Sequence, residues 1–419
     1  MTSGEQTALR RLAVFSGWFR HADAVAIIGD DTDPGADLVA RLVDQSLVMC
    51  RVDGRLRLLE TVRSFAEDRL DESGEALETR DRLVRCLLEF SRDIEPVFDG
   101  PQPARAIDEI RSRLADLRTA LVHCEATERS ADMWTLLARL VNYFWYQGNL
   151  DEALDWFTRV ACIDKGTDPS AAAPGRLAAA LLATSRGDHD EIVTATEHAI
   201  RTAIAAGDRR SEGRARVLAG AHLSWSDALG GSEAIAEACV LCDETGDRLW
   251  SAWAHCGSAL ALTFLGRPLD AIAELDIVVR TARQAESRRL TMEVLARRCV
   301  AEHQLGRWGA CAATIEHGRA LAGGFAHVNV TACFDAVDAM LAIGRHGERG
   351  AVDAAGRMSE AISRHVRAGE LQFVPWFIDA RAIALIETGS PAEAVELVRG
   401  IRGHPGLRWA SIYRHWLDH

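Results

Sequence analysis

The stretch ALALTFLGRPLDAIAEL, residues 259–275, carries the pattern on which the fold turns. Gly266 is followed five residues on by Ala271 and nine on by Leu275, and the same offsets return at Gly148, Ala153 and Phe157 and at Gly389, Ala394 and Val398. Weaker copies begin at Gly187, Gly230, Gly306 and Gly347. The recurrence is roughly every forty residues, the period of helical-pair repeats. A glycine so placed ends one helix in the left-handed conformation that other residues adopt only at a cost, and the small residue that follows lets the next helix approach its partner closely. One such pair leaves an apolar face uncovered and must stack on neighbours. The chain is therefore predicted to be all-α, an array of helical repeats.

Composition agrees and narrows the chemistry. The 419 residues are 48% hydrophobic with few prolines and aromatics, which suits packed helices better than sheets. Lys165 is the only lysine and follows Asp164, so no Gly-Lys phosphate-binding loop of the GxxxxGK[ST] type exists. With 48 basic against 61 acidic residues the net charge is −13, which opposes general attraction to DNA or anionic lipid and favours basic partners. The ten cysteines are scattered singly among apolar neighbours, apart from Cys239 and Cys242, which is the usage of a reducing compartment. No leader-like N-terminal stretch and no apolar run of about 18 residues occurs, so a cytoplasmic protein without membrane contact is expected.

The first 75 residues read differently. Helical periodicity covers Gln6 to Phe15 and Ala22 to Ile28, and Pro34 is expected to open a third helix through Leu38, Val39, Leu42 and Val43. Asp53-Gly54 then separates two short runs, the strongest short-range signal for a hairpin. Three helices followed by one β-hairpin make a small winged-helix pattern, and ETVRSFAEDRL (residues 60–70) continues as an amphipathic helix.

The segments RRLAVFSGWF (residues 10–19), LVARLVDQSLV (38–48) and RLRLLETVRSFAEDRL (55–70), with FWYQGNLDEALDWF (144–157) further on, resemble the winged-helix segment and first sensor repeat of actinobacterial STAND signalling ATPases. The resemblance is specific over about the first 160 residues. It implies a right-handed superhelix of tetratricopeptide-like (TPR-like) repeats behind the winged helix, serving as the sensor of a transcriptional regulator. In the family the nucleotide-binding domain precedes the winged helix, whereas Arg10 lies close to the start of this chain, and the closing RWASIYRHWLDH (408–419) does not read as a DNA-binding helix-turn-helix. A separate P-loop ATPase or transcription regulator is the partner this implies.

Candidate sites follow from the same reading. Trp225, Trp253, Leu260 and Phe264 fall towards the inner wall of the repeats, where Trp and Arg supply anchors for a protein segment or small effector. The competing reading is that Trp225, Trp250 and Trp253 fill space between helices, and that Arg214, Arg216, Arg288 and Arg289 are solvated. Arg51, Arg55 and Arg57 on the wing are the one local basic cluster and would carry DNA binding, the alternative function. Yet residues 1–70 hold nine arginines and eleven carboxylates, and such arginines usually pair with neighbours. Cys239 and Cys242 with His255 and Cys256 have the residue types of a zinc site, but neighbours His255 and Cys256 diverge on a helix, and no metal or cofactor is expected. GDHDE (187–191) reads as a helix-capping turn. No GxSxG elbow and no HExxH occurs among the motifs, so a non-enzymatic protein is expected. TDPSAAAPG (167–175) reads as a linker. Three regions result: 1–75 winged helix, 76–165 a helical segment with the first repeat, and 166–419 five or six helical pairs, the one near Asn329 the least regular.

Overall fold

The computed structural model describes residues 1–29, 35–323 and 328–402. Pro34 and the closing segment 408–419 lie outside the described residues. The chain divides into two compact units: residues 1–97, 104–140 and 158–167 form unit 1, and 98–103, 141–157 and 168–419 form unit 2. This division cuts the chain otherwise than the three regions read from the sequence, since residues 76–97 and 104–140 belong with the N-terminal helices.

In unit 1, α1 (Ser3–Leu12), α2 (His21–Ile28) and α3 (Gly35–Asp44) precede a hairpin of β1 (Val48–Cys50) and β2 (Leu56–Leu58). The strands pair antiparallel, Val48 opposite Leu58, and Phe19 adds one further bridge to Leu56. The turn falls at Asp53-Gly54 as its residues predict, with Gly54 at φ +77°. Thr2 and Glu5 form a capping box at the start of α1, so two otherwise orphaned N–H groups are met locally. Leu12, Phe19, Ile27, Leu42 and Leu70 make the core, with Phe15 stacked on Phe19 at 4.2 Å. The helices α4 (Glu60–Ser73), α5 (Ala76–Ile94) and most of α6 (Pro103–Ala126) complete the unit. From α6, Arg113 reaches Asp23 at 2.5 Å and stacks 4.3 Å over Phe90, while Asp116 accepts the backbone N–H of Ser16 and Gly17. The next two helices, α7 (Ser130–Gln147) and α8 (Leu150–Ile163), are each divided between the units.

Unit 2 is the repeat array. First helices α9 (Pro169–Arg186), α11 (Arg209–Leu223), α13 (Arg248–Phe264) and α15 (Arg288–Gln304) alternate with their partners α10 (His189–Ala206), α12 (Ala228–Glu244), α14 (Pro268–Gln284) and α16 (Trp308–Ala322). The repeat length read from the glycines is thus the length found. Then come α17 (Val328–Ala368), broken at Gly347, and the pair α18 (Val374–Glu387) and α19 (Pro391–Arg402). Gly266 takes φ +69° between α13 and α14, and Ala271 and Leu275 are fully enclosed. Each first helix packs on its own partner and on the first helix of the next pair.

Two local readings are corrected. The stretch 167–175 is no linker: Asp168 caps α9 by accepting from Ser170 N–H at 2.8 Å, Pro169 starts it, and the alanine run sustains it through Pro174. Gly230 is no turn glycine either. It lies inside α12, its N–H bound by the cap Asp227 at 3.0 Å, and its neighbour Gly231 takes the close-packing place that Ala271 holds one repeat later.

Candidate functional site

The first helices of the array present one stripe each to a common cavity of about 110 Å³. On α13, Trp250, Trp253, Gly257 and Leu260 recur at helical spacing; on α15, Arg289, Glu293 and Arg297 are one turn apart. Val217, Ala221 and His222 of α11 come next, and Trp145, Trp225 and Phe373 close the walls.

Arg289 is the centre of the polar part. The residue is only 8% exposed, and the guanidinium lies 4.9 Å from the Trp145 ring and 4.8 Å from that of Trp253. A desolvated cation between aromatic faces is held by the ring quadrupoles. Nη1 donates to Asn142 Oδ1 at 2.7 Å, and Asp99 stands 3.8 Å away. Arg297 donates to buried Glu293 through a very close contact. Nε of Arg289 and Nε of Arg297 meet no acceptor within the described residues.

His222 sits on the opposite wall, its Nε2 2.9 Å from Nδ1 of His189. Burial first, and the neighbouring His189 second, push its pKa down to about 4, so this imidazole is neutral near pH 7. The charged groups that line the cavity are therefore Arg289, Arg297 and Glu293, with Asp99 3.8 Å from Arg289 beside it.

Three of the four residues singled out in the sequence, Trp225, Trp253 and Leu260, line this cavity; Phe264 stands behind it, its ring 5.2 Å from that of Trp225. Trp225 also packs on Trp376 at 5.9 Å within the core, so the space-filling reading and the wall reading describe the same residue. Solvation fails for Arg289, whereas the Arg216 side chain stays 42% exposed. Arg289 is enclosed, Arg288 is held by the Leu321 carbonyl at 2.9 Å, Arg214 pairs with Asp247 at 2.6 Å, and Arg216 pairs with Glu212 at 2.8 Å. Sequence reasoning missed Trp145, Glu293 and Arg297. The charged triplet 289, 293, 297 at one-turn spacing was the available signal for the last two.

The hairpin arginines have local partners. Arg55 binds Glu109 at 3.0 Å and contacts the Ser112 hydroxyl closely, Arg51 lies 3.7 Å from Asp53, and Arg51 and Arg57 both face the Trp18 ring, at 5.8 and 6.0 Å. Asp188 of the GDHDE turn caps α10 through Glu191 N–H at 3.1 Å. Cys242 and Cys256 are buried, and among the described residues no group of three or more His, Cys, Asp or Glu side chains is placed to hold a metal. No helix of the described residues is long and apolar enough to cross a membrane.

A stack of helical hairpins whose first helices build an aromatic, arginine-bearing cavity defines a TPR-like helical-repeat protein with a candidate binding pocket. No family model matches the chain. Over 241 residues it is 29% identical to proteins of Mycobacterium tuberculosis and Mycobacterium bovis provisionally named HTH-type transcriptional regulators. The match covers 54% of this chain and 27% of each relative, so the chain spans about a quarter of the length of the relatives it matches. Among solved structures, a STAND protein with a tetratricopeptide repeat sensor from Pyrococcus horikoshii aligns over 99% of this chain and 66% of its own, with TM-score 0.53 and 10% identity. A Rap protein complexed with Competence and Sporulation Factor aligns over 78% of this chain and 99% of its own, with TM-score 0.54 and 10% identity. At that identity the likeness establishes the fold.

Proposed function

We propose that this chain is a non-enzymatic, cytoplasmic regulatory protein resembling the sensor portion of a STAND transcriptional regulator, and that its repeat array takes a protein segment or small effector in the aromatic cavity. The observation that carries the reading is Arg289, buried between Trp145 and Trp253, with its Nε and that of Arg297 unmet within the described residues. Buried donors left without acceptors cost about 1–3 kcal/mol each. In this reading a ligand carboxylate or carbonyl pairs with the guanidinium of Arg289, and its apolar part lies on the tryptophans.

Size favours an anchor over a large ligand. An apolar cavity of about 150 Å³ takes up benzene, so 110 Å³ accommodates one side chain or a fragment of similar bulk. The relatives' names as transcriptional regulators support a regulatory role, as does the fold shared with a signalling ATPase's sensor and with a Rap protein solved with a bound factor. A separate P-loop ATPase or transcription regulator is the partner we infer. Binding of DNA through Arg51, Arg55 and Arg57 gains no support, since Asp53, Glu109 and the Trp18 ring already engage these groups.

Capture with crosslinking and mass spectrometry, using the full chain in lysate of its own organism, tests this. Wild type is expected to crosslink a P-loop ATPase or transcription regulator, at least tenfold more than the Trp253→Ala variant does. Recovery of neither, equal recovery by the variant, or recovery of DNA lost between low and moderate salt would count against it.

A further inference from the structure

Cys239 of α12 is half-exposed, and its Sγ lies 3.8 Å from Nε2 of His255 on α13 and 3.7 Å from the Ser251 hydroxyl. On the far side of the imidazole, Nδ1 is 2.6 Å from Oε2 of Glu274 on α14. Three helices of two successive repeats thus align a thiol, an imidazole and a carboxylate. With Nδ1–H donating to Glu274, the Nε2 lone pair faces the sulfur. A nucleophile in reach of a base that a third group orients is the arrangement of an activated thiol.

We propose that Cys239 is a nucleophilic thiol, with His255 as its base and Glu274 as the positioning carboxylate, and that it is a site where a peroxide oxidises the protein to a cysteine sulfenic acid. The Sγ–H proton passes to Nε2. The thiolate pair then forms an S–O bond to one peroxide oxygen as the O–O bond breaks, and the departing hydroxide takes the proton from Nε2 and leaves as water. Cys239 is oxidised by two electrons and the peroxide is reduced; the imidazole ends as it began. The event is a single modification per chain, independent of whether the aromatic cavity holds an effector.

The surroundings favour the charged intermediate. Hydrogen bonding to Cys239 first and to Glu274 second raises the His255 pKa to about 10 against the opposing effect of burial. Once the proton has moved to Nε2, the imidazolium beside the sulfur is therefore a favoured form. Of the charged groups nearby, Arg214 of α11 pairs with Asp247 at 2.6 Å, and Asp243 and Asp247 bear on Cys242. Cys242 itself, three residues along α12, is buried, and burial pushes its thiol up to about 12. The CxxC pair is thus divided into one reactive and one inert thiol. Side chains of His255 and Glu274 are 22% and 30% exposed, so a molecule as small as hydrogen peroxide has access.

The test compares cysteines within one sample. The full chain is treated with hydrogen peroxide at pH 7, sulfenic acid is trapped with dimedone, and labelling is quantified by peptide mass spectrometry. Cys50 and Cys162, both exposed, serve as internal references. Cys239 is expected to label at least tenfold faster than either, His255→Asn to bring it down to their level, and Glu274→Gln to slow it several-fold. Labelling of Cys239 at or below the reference rate in wild type overturns the proposal, whatever the variants do. So does an undiminished rate in a folded His255→Asn variant.

Discussion

Asp116 places burial and local hydrogen bonding in direct opposition. Its carboxylate accepts from Ser16 N–H at 2.6 Å and from Gly17 N–H at 3.2 Å, which favours the charged form, yet it is 1% exposed. Burial is the larger effect and lifts its pKa from 3.8 to about 6. The folded value lies above the unfolded one, so ionisation opposes folding. The associated stability is complete below about pH 4 and is lost as pH rises through 6, by up to about 3 kcal/mol. Urea denaturation of the full chain at pH 4.5 and 7.5 should therefore show a loss of about 2 kcal/mol in wild type beyond any in Asp116→Asn; an equal pH response in the two would refute the assignment. At this scale the sequence is least legible. Arg289 finds its acceptor in Asn142, 147 residues away, and nothing in the local run Arg288, Arg289 tells the enclosed arginine from its neighbour. Cys239, His255 and Glu274 were closer to reach, because a forty-residue period fixes which turns of successive helices face one another.

Between α11 and α12 the helices are set by what glycine lacks. A Cβ added at Gly231 would lie 2.5 Å from Ser224 N and 2.6 Å from Ser224 Cα, so backbone would have to move. Overpacking of this kind costs about 1–3 kcal/mol, against about 1 kcal/mol gained from the better helix propensity of alanine. Because it is backbone that must move, the upper end of that cost applies, and Gly231→Ala is expected to destabilise the array by about 2 kcal/mol. Gly356→Ala, with nothing within 4 Å of the new methyl, is expected to be neutral or stabilising by up to about 1 kcal/mol. Thermal melts of both variants decide it, and a Gly231→Ala protein as stable as wild type would sink the close-contact argument. Elements were the most legible part of the chain, for a physical reason: glycine at a left-handed turn and a small residue shortly after act through neighbours in sequence. Gly266 with Ala271 was read correctly on that basis. Gly230 misled because Trp225–Asp227 makes the turn without glycine, and residues 167–175 misled because the capping Asp168 and the alanine run outweigh Pro174.

Across the whole molecule, a repeat rule produces a site that no single repeat contains. Because each first helix packs on the next, a stripe of α11, a stripe of α13 and a stripe of α15 converge, and the tryptophans and arginines they carry meet in one cavity. The repeat itself is evident from the glycine spacing, and Trp225, Trp253 and Leu260, which that spacing groups, line the cavity. The charge at the cavity is not evident in this way, since it depends on which arginine is enclosed. The central claim is that this cavity binds an apolar anchor bearing an acceptor. Selection of a random peptide library against the full chain, followed by Kd measurements on the recovered peptides with wild type and Arg289→Ala, tests it most directly. Enrichment of one aromatic or aliphatic residue beside a carboxylate or the free C-terminus is expected, with a Kd at least tenfold weaker for the variant, equivalent to about 1.4 kcal/mol. Absence of enrichment, or peptides that bind Arg289→Ala as tightly as wild type, would contradict it.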